Sequence, residues 1–188
     1  ARTLGISQTP VREALARLFA EGFVEWRKSQ GYHSKIFTEA EQRELHEFGL
    51  ALLTTSMETV RADRSGELLE GLANLDPSHA ADADIAAYLA CQAEAMYLGL
   101  AEATGNTVRV NATRIILERT HFVRLIDLRR SDIADATLGA LRGMGRALLG
   151  QDRATAQRLV RETLLGRIDR MEHLVGEANA HAAQSQFP

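Results

Sequence analysis

The chain has 188 residues, 45% hydrophobic and 25% charged, which is enough to bury a core and to divide into two domains. The sequence contains neither a secretory apolar segment nor a run long enough to span a bilayer, so we expect a cytoplasmic protein. The formal net charge of −3 hides an asymmetry, because residues 1–37 carry six basic and only three acidic side chains. Only this first segment is therefore suited to bind a polyanion.

A polar cluster that leads into an amphipathic helix is the first informative element. Ser7 and Thr9 are suitable N-caps, and Pro10 is tolerated in a first turn because its missing N–H has no partner there. Gln8, Thr9 and Arg12 would project from the N-terminal end, where donors suit DNA bases and phosphates. The apolar positions that follow share one face of the helix: Val11, Leu15, Leu18 and Phe19.

A helix before this one and a hairpin after it complete a recognisable pattern. The earlier helix is expected to end at Gly5, and the second helix at Gly22. Two strand-like runs, 23–27 and 32–36, then flank the turn 28–31. Helix, turn, helix and hairpin are typical of a winged helix-turn-helix, although an ordinary capped core helix is the alternative for the second helix.

The segment Leu4 to Leu15, followed by Glu21-Gly22-Phe23-Val24 and Gly31, resembles the DNA-binding domain of GntR-family transcription regulators. The similarity runs through about 35 residues in the right order. It implies that the wing tip, with Gly31 and Lys28, approaches the minor groove. It also implies that four residues contact the major groove: Ser7, Gln8, Thr9 and Arg12.

Two departures from the family pattern accompany this resemblance. The family usually has Arg at the position of Gln8, and Gln pairs with adenine whereas Arg favours guanine and phosphate, so base preference or affinity is expected to differ. The domain also lacks its first helix, and we therefore expect a longer native protein. Residues 1–37 are accordingly predicted to be a partial winged helix-turn-helix domain.

From Thr38 onward the sequence predicts helices only. The spacing of Thr38 and Glu41 is that of a capping box. Helices are predicted at about 38–64, 66–74, 80–104, 106–130, 132–149 and 152–177. The fold class is therefore mainly α, with a small hairpin wing and an antiparallel bundle of about six helices at 38–178, followed by a frayed tail at 179–188.

The turns at 100–106 and 146–152 resemble those of the FCD-type helical effector-binding domain of the FadR branch of the same family. That resemblance implies a divalent metal held by an Asp and three His. Carried over to this chain, the four positions fall on Ala93, Tyr97, Leu141 and Thr163, and an arginine frequent in the family's first helix falls on Gly49. A register error is the competing explanation, but the six histidines are not spaced to restore a ligand set. We therefore expect no metal and no other cofactor.

Loss of the metal predicts a pocket that is more apolar and has no positive centre. We expect an apolar or amphipathic effector, with six candidate contact residues: Ala93, Tyr97, His121, Arg124, Leu141 and Thr163. The alternative is a bundle filled by its own side chains. His121 and Arg124 share one helical face and are the best polar candidates for holding an effector, but we favour an interhelical hydrogen bond or salt bridge for them.

The remaining polar residues receive structural interpretations. We expect His46, His173 and His181 on solvated helix surfaces. Cys91 lies in an alanine-rich helical pattern and is expected to be a buried small hydrophobe. The arginine-rich stretches 124–130 and 153–170 are expected to form solvated faces or a dimer seam.

The sequence contains no nucleophile, phosphate-loop or metal-helix motif, so we do not expect an enzyme. It favours a ligand-responsive transcription regulator. A homodimer is expected on operator DNA, because a single recognition helix makes too few base contacts for useful specificity. The alternative is an effector-binding or structural helical protein whose DNA-binding function has decayed.

Overall fold

The computed structural model describes residues 8–20, 24–29, 31–60, 65–80 and 84–184. The chain divides into two compact units, Ala1–Phe37 and Thr38–Pro188, which we call the winged unit and the helical unit. The helix expected before Gly5 lies outside the described residues, as does Ser7. A mainly α fold with one small antiparallel hairpin is confirmed.

The winged unit contains one described helix and one hairpin. Helix α1 spans Gln8–Ala20, and strands β1, Val24–Arg27, and β2, Gly31–Ser34, pair antiparallel with Arg27 opposite Gly31. Gly31 has a φ of 89°, in the left-handed region that a side chain disfavours, which explains why a glycine follows the turn.

The helical unit has seven α-helices within the described ranges, one more than expected. In chain order they are α2 Glu39–Thr59, α3 Gly66–Ala73, α4 Ile85–Ala103, α5 Thr107–Leu128, α6 Ser131–Leu149, α7 Arg153–Asp169 and α8 Met171–Gln184. Four of them begin at side-chain caps, since Thr38, Asp84, Asn106 and Asp152 each accept a hydrogen bond from a backbone N–H in the first turn. A short 3₁₀ turn, Pro77–Ala80, lies between α3 and α4.

The prediction of one helix at 152–177 is wrong, because α7 ends at Asp169 and α8 begins two residues later. Neither glycine nor proline marks this break. The expected start of the tail is corrected as well: α8 continues to Gln184, and Ala178 is fully buried. Burial of apolar positions along α8 stabilises these last turns beyond what their helix propensity predicts.

The buried hydrophobic residues of the described part all lie in the helical unit, from Leu50 to Ala178, and the main cluster runs from Leu50 to Leu164. Within it α3 and α6 approach so closely that a Cβ built on Gly145 would lie 2.7 Å from the backbone nitrogen of Ala73. Cys91 is exposed, contrary to the prediction, because Ala90 and Ala93 occupy the buried positions of α4. None of the described helices combines the length and the apolar character needed to cross a membrane.

Candidate functional site

The N-terminal end of α1 presents polar side chains to solvent. Gln8, Thr9 and Arg12 are all exposed, and Arg12 makes no ion pair with any described residue. The half-buried Val11 and Leu15 mark the opposite side of the helix. Exposed donors at a helix N-terminus can reach phosphates and base edges, whereas the other face is free to pack.

The hairpin is held by aromatic contacts. Tyr32 on β2 makes edge-to-face contacts with Trp26 on β1, at 4.8 Å between ring centroids, and with Phe19 on α1, at 6.2 Å. Lys28 is exposed in the turn, near the left-handed Gly31. The same unit therefore offers a second basic, exposed point at the tip of its hairpin.

In the helical unit, the four carried-over metal positions do not form a ligand set. Ala93, Tyr97 and Leu141 are buried among apolar side chains, and the Thr163 hydroxyl donates to the Leu159 carbonyl oxygen at 2.9 Å. No group of three or more His, Cys, Asp or Glu suited to a metal occurs among the residues that the structure describes. The residues present do not fit a divalent cation.

Glu94 on α4 connects to both polar candidates on α5. The Nδ1 atom of His121 lies 2.7 Å from Glu94 Oε1, and the Nη1 atom of Arg124 pairs with the same oxygen. Arg124 also donates to the Thr120 hydroxyl at 2.7 Å. Burial lowers the pKa of Arg124 to about 10, with a further contribution from the nearby Arg167. His121 and Arg124 thus form the interhelical pairs that we favoured from the sequence, both with Glu94 on α4.

A second buried ion cluster joins the end of α5 to α7 and to the residue that follows α7. Asp127 is fully buried and accepts hydrogen bonds from Arg167 Nε at 2.9 Å and from Arg170 Nε at 3.0 Å. The expectation that the arginine-rich stretches form solvated faces or a dimer seam is wrong for Arg124 and Arg167, which are buried inside the helical unit at 3% and 2% exposure. Arg124 lies four residues after the buried Thr120, and Arg167 lies three residues after the buried Leu164, so this spacing was the available signal.

The two ion clusters together make the interior cationic. Two carboxylates, Glu94 and Asp127, face three guanidinium groups, Arg124, Arg167 and Arg170. The expectation of an interior without a positive centre is therefore wrong. It failed because these arginines come from different parts of the chain and converge only in the folded bundle.

His46 also lies in this interior, and not on the surface as predicted. It is 3% exposed, its Nδ1 lies 2.7 Å from the Gln42 carbonyl oxygen, and its Nε2 has no partner among the described residues. Burial lowers its pKa to about 3, and the charge of Arg167 adds to this shift. His173 and His181 are exposed, as expected.

The six candidate effector residues do not line one common space. Tyr97 and Arg124 line a cavity of only about 20 Å³, large enough for a water molecule but not for an effector. His121 lines a groove beside Glu94, and Thr163 lines a separate groove between α6 and α7. Burial raises the pKa of Tyr97, so its hydroxyl stays neutral near the small cavity.

Comparison with known proteins relates the fold to transcriptional regulators. No protein-family model matches the chain, and no curated protein matches it in sequence. Lar, which controls the expression of the Listeria monocytogenes agr system and mediates virulence, matches with a TM-score of 0.69 at 18% identity, covering 93% of this chain and 84% of its own.

Two further solved structures carry the GntR description. A Rhodococcus protein described as a GntR transcriptional regulator gives a TM-score of 0.71 at 17% identity, over 93% of this chain and 83% of its own. A GntR-family regulator from Pseudomonas syringae gives a TM-score of 0.53 at 15% identity, and the match covers 97% of this chain and 73% of the other. The chain therefore has the fold of GntR-type transcriptional regulators, a small hairpin followed by an all-helical domain.

Proposed function

We propose that the chain is a GntR-family transcription regulator of the FadR type, and not an enzyme. The winged unit binds operator DNA, and the helical unit, an FCD-type domain, binds a small effector. The observation that carries this proposal is the exposed Arg12, without an ion-pair partner in the described part of the chain, beside Gln8 and Thr9 at the N-terminal end of α1. The fold shared with GntR-type regulators supports it.

Each exposed group of the winged unit has a role in this proposal. Arg12 contacts a guanine or a phosphate in the major groove, and Gln8 reads adenine through its side-chain amide. Lys28 neutralises a phosphate, and Gly31 allows the wing to approach the minor groove. Two such units, brought together in a homodimer, read two half-sites of one operator.

The experiment is Arg12→Ala in the full-length protein, with an operator selected by the wild type from a random duplex library. We expect binding at fixed salt to weaken by about 5-fold to 150-fold, which corresponds to about 1 to 3 kcal/mol for one good contact. Arg161→Ala, an exposed arginine on α7, is the matched control and retains affinity.

Equal affinity of Arg12→Ala and wild type would show that α1 does not dock as proposed. Failure of the wild type to enrich any sequence favours the alternative, a helical effector-binding or structural protein without DNA-binding function. Circular dichroism shows whether Arg12→Ala unfolds the winged unit. If it does, Gln8→Ala provides the same test at another exposed position of α1.

A further inference from the structure

An open groove of about 280 Å³ lies between α6, α7 and the end of α5. Its apolar lining includes Ile133, Ala140 and Leu159, and its polar lining includes Asp127, Thr137, Thr163, Arg167 and Arg170. This volume is more than ten times that of the small cavity beside Tyr97 and is close to the lower end of small-ligand sites. The groove can therefore hold a compact molecule with a polar head.

Arg167 gives this groove hydrogen-bonding capacity that the protein leaves unused. The residue is 2% exposed, and of its five N–H donors only the one on Nε donates a hydrogen bond to Asp127. Its Nη1 and Nη2 atoms make no hydrogen bond with any described residue. A guanidinium has five donors in one plane, and its outer edge matches the two oxygens of an oxyanion.

The charge of the cluster favours the same kind of ligand. Asp127 pairs with both the buried Arg167 and the partly exposed Arg170, so the cluster beside the groove carries one more positive than negative charge. Glu162 on the rim does not supply the missing negative charge, because it is exposed and pairs with Arg158. A bound anion would balance this excess charge in a place where Arg167 has little access to water.

Thr137 adds a second unpartnered donor to the lining. The residue is 5% exposed, and its hydroxyl makes no hydrogen bond within the described part of the chain. A hydroxyl can donate to an anion oxygen. Two donors of different kinds, a guanidinium and a hydroxyl, are therefore available to one bound head group.

We infer that this groove binds a small amphipathic oxyanion without a metal ion, its head on Arg167 and Thr137 and its apolar part against Ile133, Ala140 and Leu159. The cationic interior, which does not fit the divalent cation implied by the family, supplies the positive charge directly. As a statement about the effector, this inference rests on the proposed function. Binding of the anion itself can be measured without DNA, so that part of the inference does not depend on the proposed function.

The test is calorimetric titration of the full chain, dialysed against EDTA, with acetate, hexanoate, benzoate and inorganic phosphate. We expect hexanoate or benzoate to bind, and the matching neutral amide, hexanamide or benzamide, to bind at least 10-fold more weakly. Arg167→Met is expected to weaken anion binding at least 10-fold, and Thr137→Val several-fold. Arg161→Met, which changes an exposed arginine of the same helix, leaves binding unchanged.

The inference is overturned if none of the four anions binds at 10 mM, if the amide binds as well as the acid, or if binding requires added zinc, nickel or manganese. If Arg167→Met does not fold, Thr137→Val becomes the test of the site, because it keeps the shape of the side chain and replaces only the hydroxyl by a methyl group. Operator binding is measured separately, so a protein that binds DNA but no anion keeps the proposed function and loses only this inference.

Discussion

Burial of His46 makes the stability of the helical unit depend on pH. The pKa of this imidazole is lowered from 6.5 to about 3, first by burial and then by the charge of Arg167. In the unfolded chain the pKa returns to its ordinary value, so the unfolded state takes up the proton first as the pH falls. The contribution of His46 to stability is therefore intact above pH 6.5 and is lost progressively between pH 6.5 and about 3.

We predict that the unfolding free energy, measured by urea denaturation, falls between pH 7 and pH 5 by about 2 kcal/mol on account of His46 alone. His46→Gln removes this share of the loss and keeps a polar side chain of similar size. His173→Gln, at an exposed position of α8, retains the wild-type loss and serves as control. The same loss in wild type and His46→Gln would contradict the assignment.

Single residues differed in how far the sequence could predict them. The exposure of Arg12 and Gln8 could be predicted from the apolar face opposite to them. The burial of His46 was not predicted, although its spacing from Gln42, Leu50 and Leu53 is that of a buried face. Histidine is intermediate between the residue types that are mostly buried and those that are mostly exposed, so residue type alone did not decide, and the surroundings of His46 include neighbours such as Arg167 from a distant helix.

At the scale of elements, the contact between α3 and α6 depends on one glycine. A Cβ on Gly145 would lie 2.7 Å from Ala73 N and 2.9 Å from Leu69 O. Both are backbone atoms of α3, so they cannot move aside as the end of a flexible side chain would. Gly139, on the same helix, has nothing within 4 Å of the corresponding position.

We therefore expect Gly145→Ala and Gly139→Ala to change stability in opposite directions. Gly145→Ala separates two packed helices and should lower the unfolding free energy by about 1 to 3 kcal/mol. Gly139→Ala adds a methyl group in open space and improves helix propensity, which should raise it by about 0.5 to 1 kcal/mol. Chemical denaturation of both variants measures these changes. An unchanged or raised unfolding free energy for Gly145→Ala would mean that α3 does not approach α6 so closely.

The break between α7 and α8 shows why some element boundaries were not predictable. The sequence around Arg170 has the spacing of an uninterrupted amphipathic helix, with neither glycine nor proline at the junction. What ends α7 there is tertiary: Arg170 donates two hydrogen bonds to the buried Asp127, and Met171 begins a new buried stripe. Local propensity yields to such contacts.

At the scale of the whole molecule, the two units differ sharply in how much they bury. The described core cluster lies between Leu50 and Leu164, whereas no residue of α1 is fully buried. We predict that residues 38–188 alone keep their helical circular dichroism and melt within a few degrees of the full chain. A fragment that loses cooperative melting would show that the helical unit needs the winged unit to fold.

The overall architecture was predictable, whereas the chemistry of the bundle interior was not. Helical periodicity after Thr38 and the strand-like runs around Gly31 were enough for the fold class. The interior charge depends on Arg124, Asp127 and Arg167, which meet only because α5 and α7 pack in one bundle. Helical spacing could indicate that Arg124 and Arg167 are buried, but the pattern of one helix does not show which charges from other helices they meet.

The exposure of Cys91 has a practical consequence. It is the one cysteine in the chain, and it lies on α4, one turn before Glu94 and two turns before Tyr97. A maleimide dye would therefore label a single known position without any engineered substitution. Its fluorescence would follow, in real time, any rearrangement of the helix whose Glu94 is paired with His121 and Arg124.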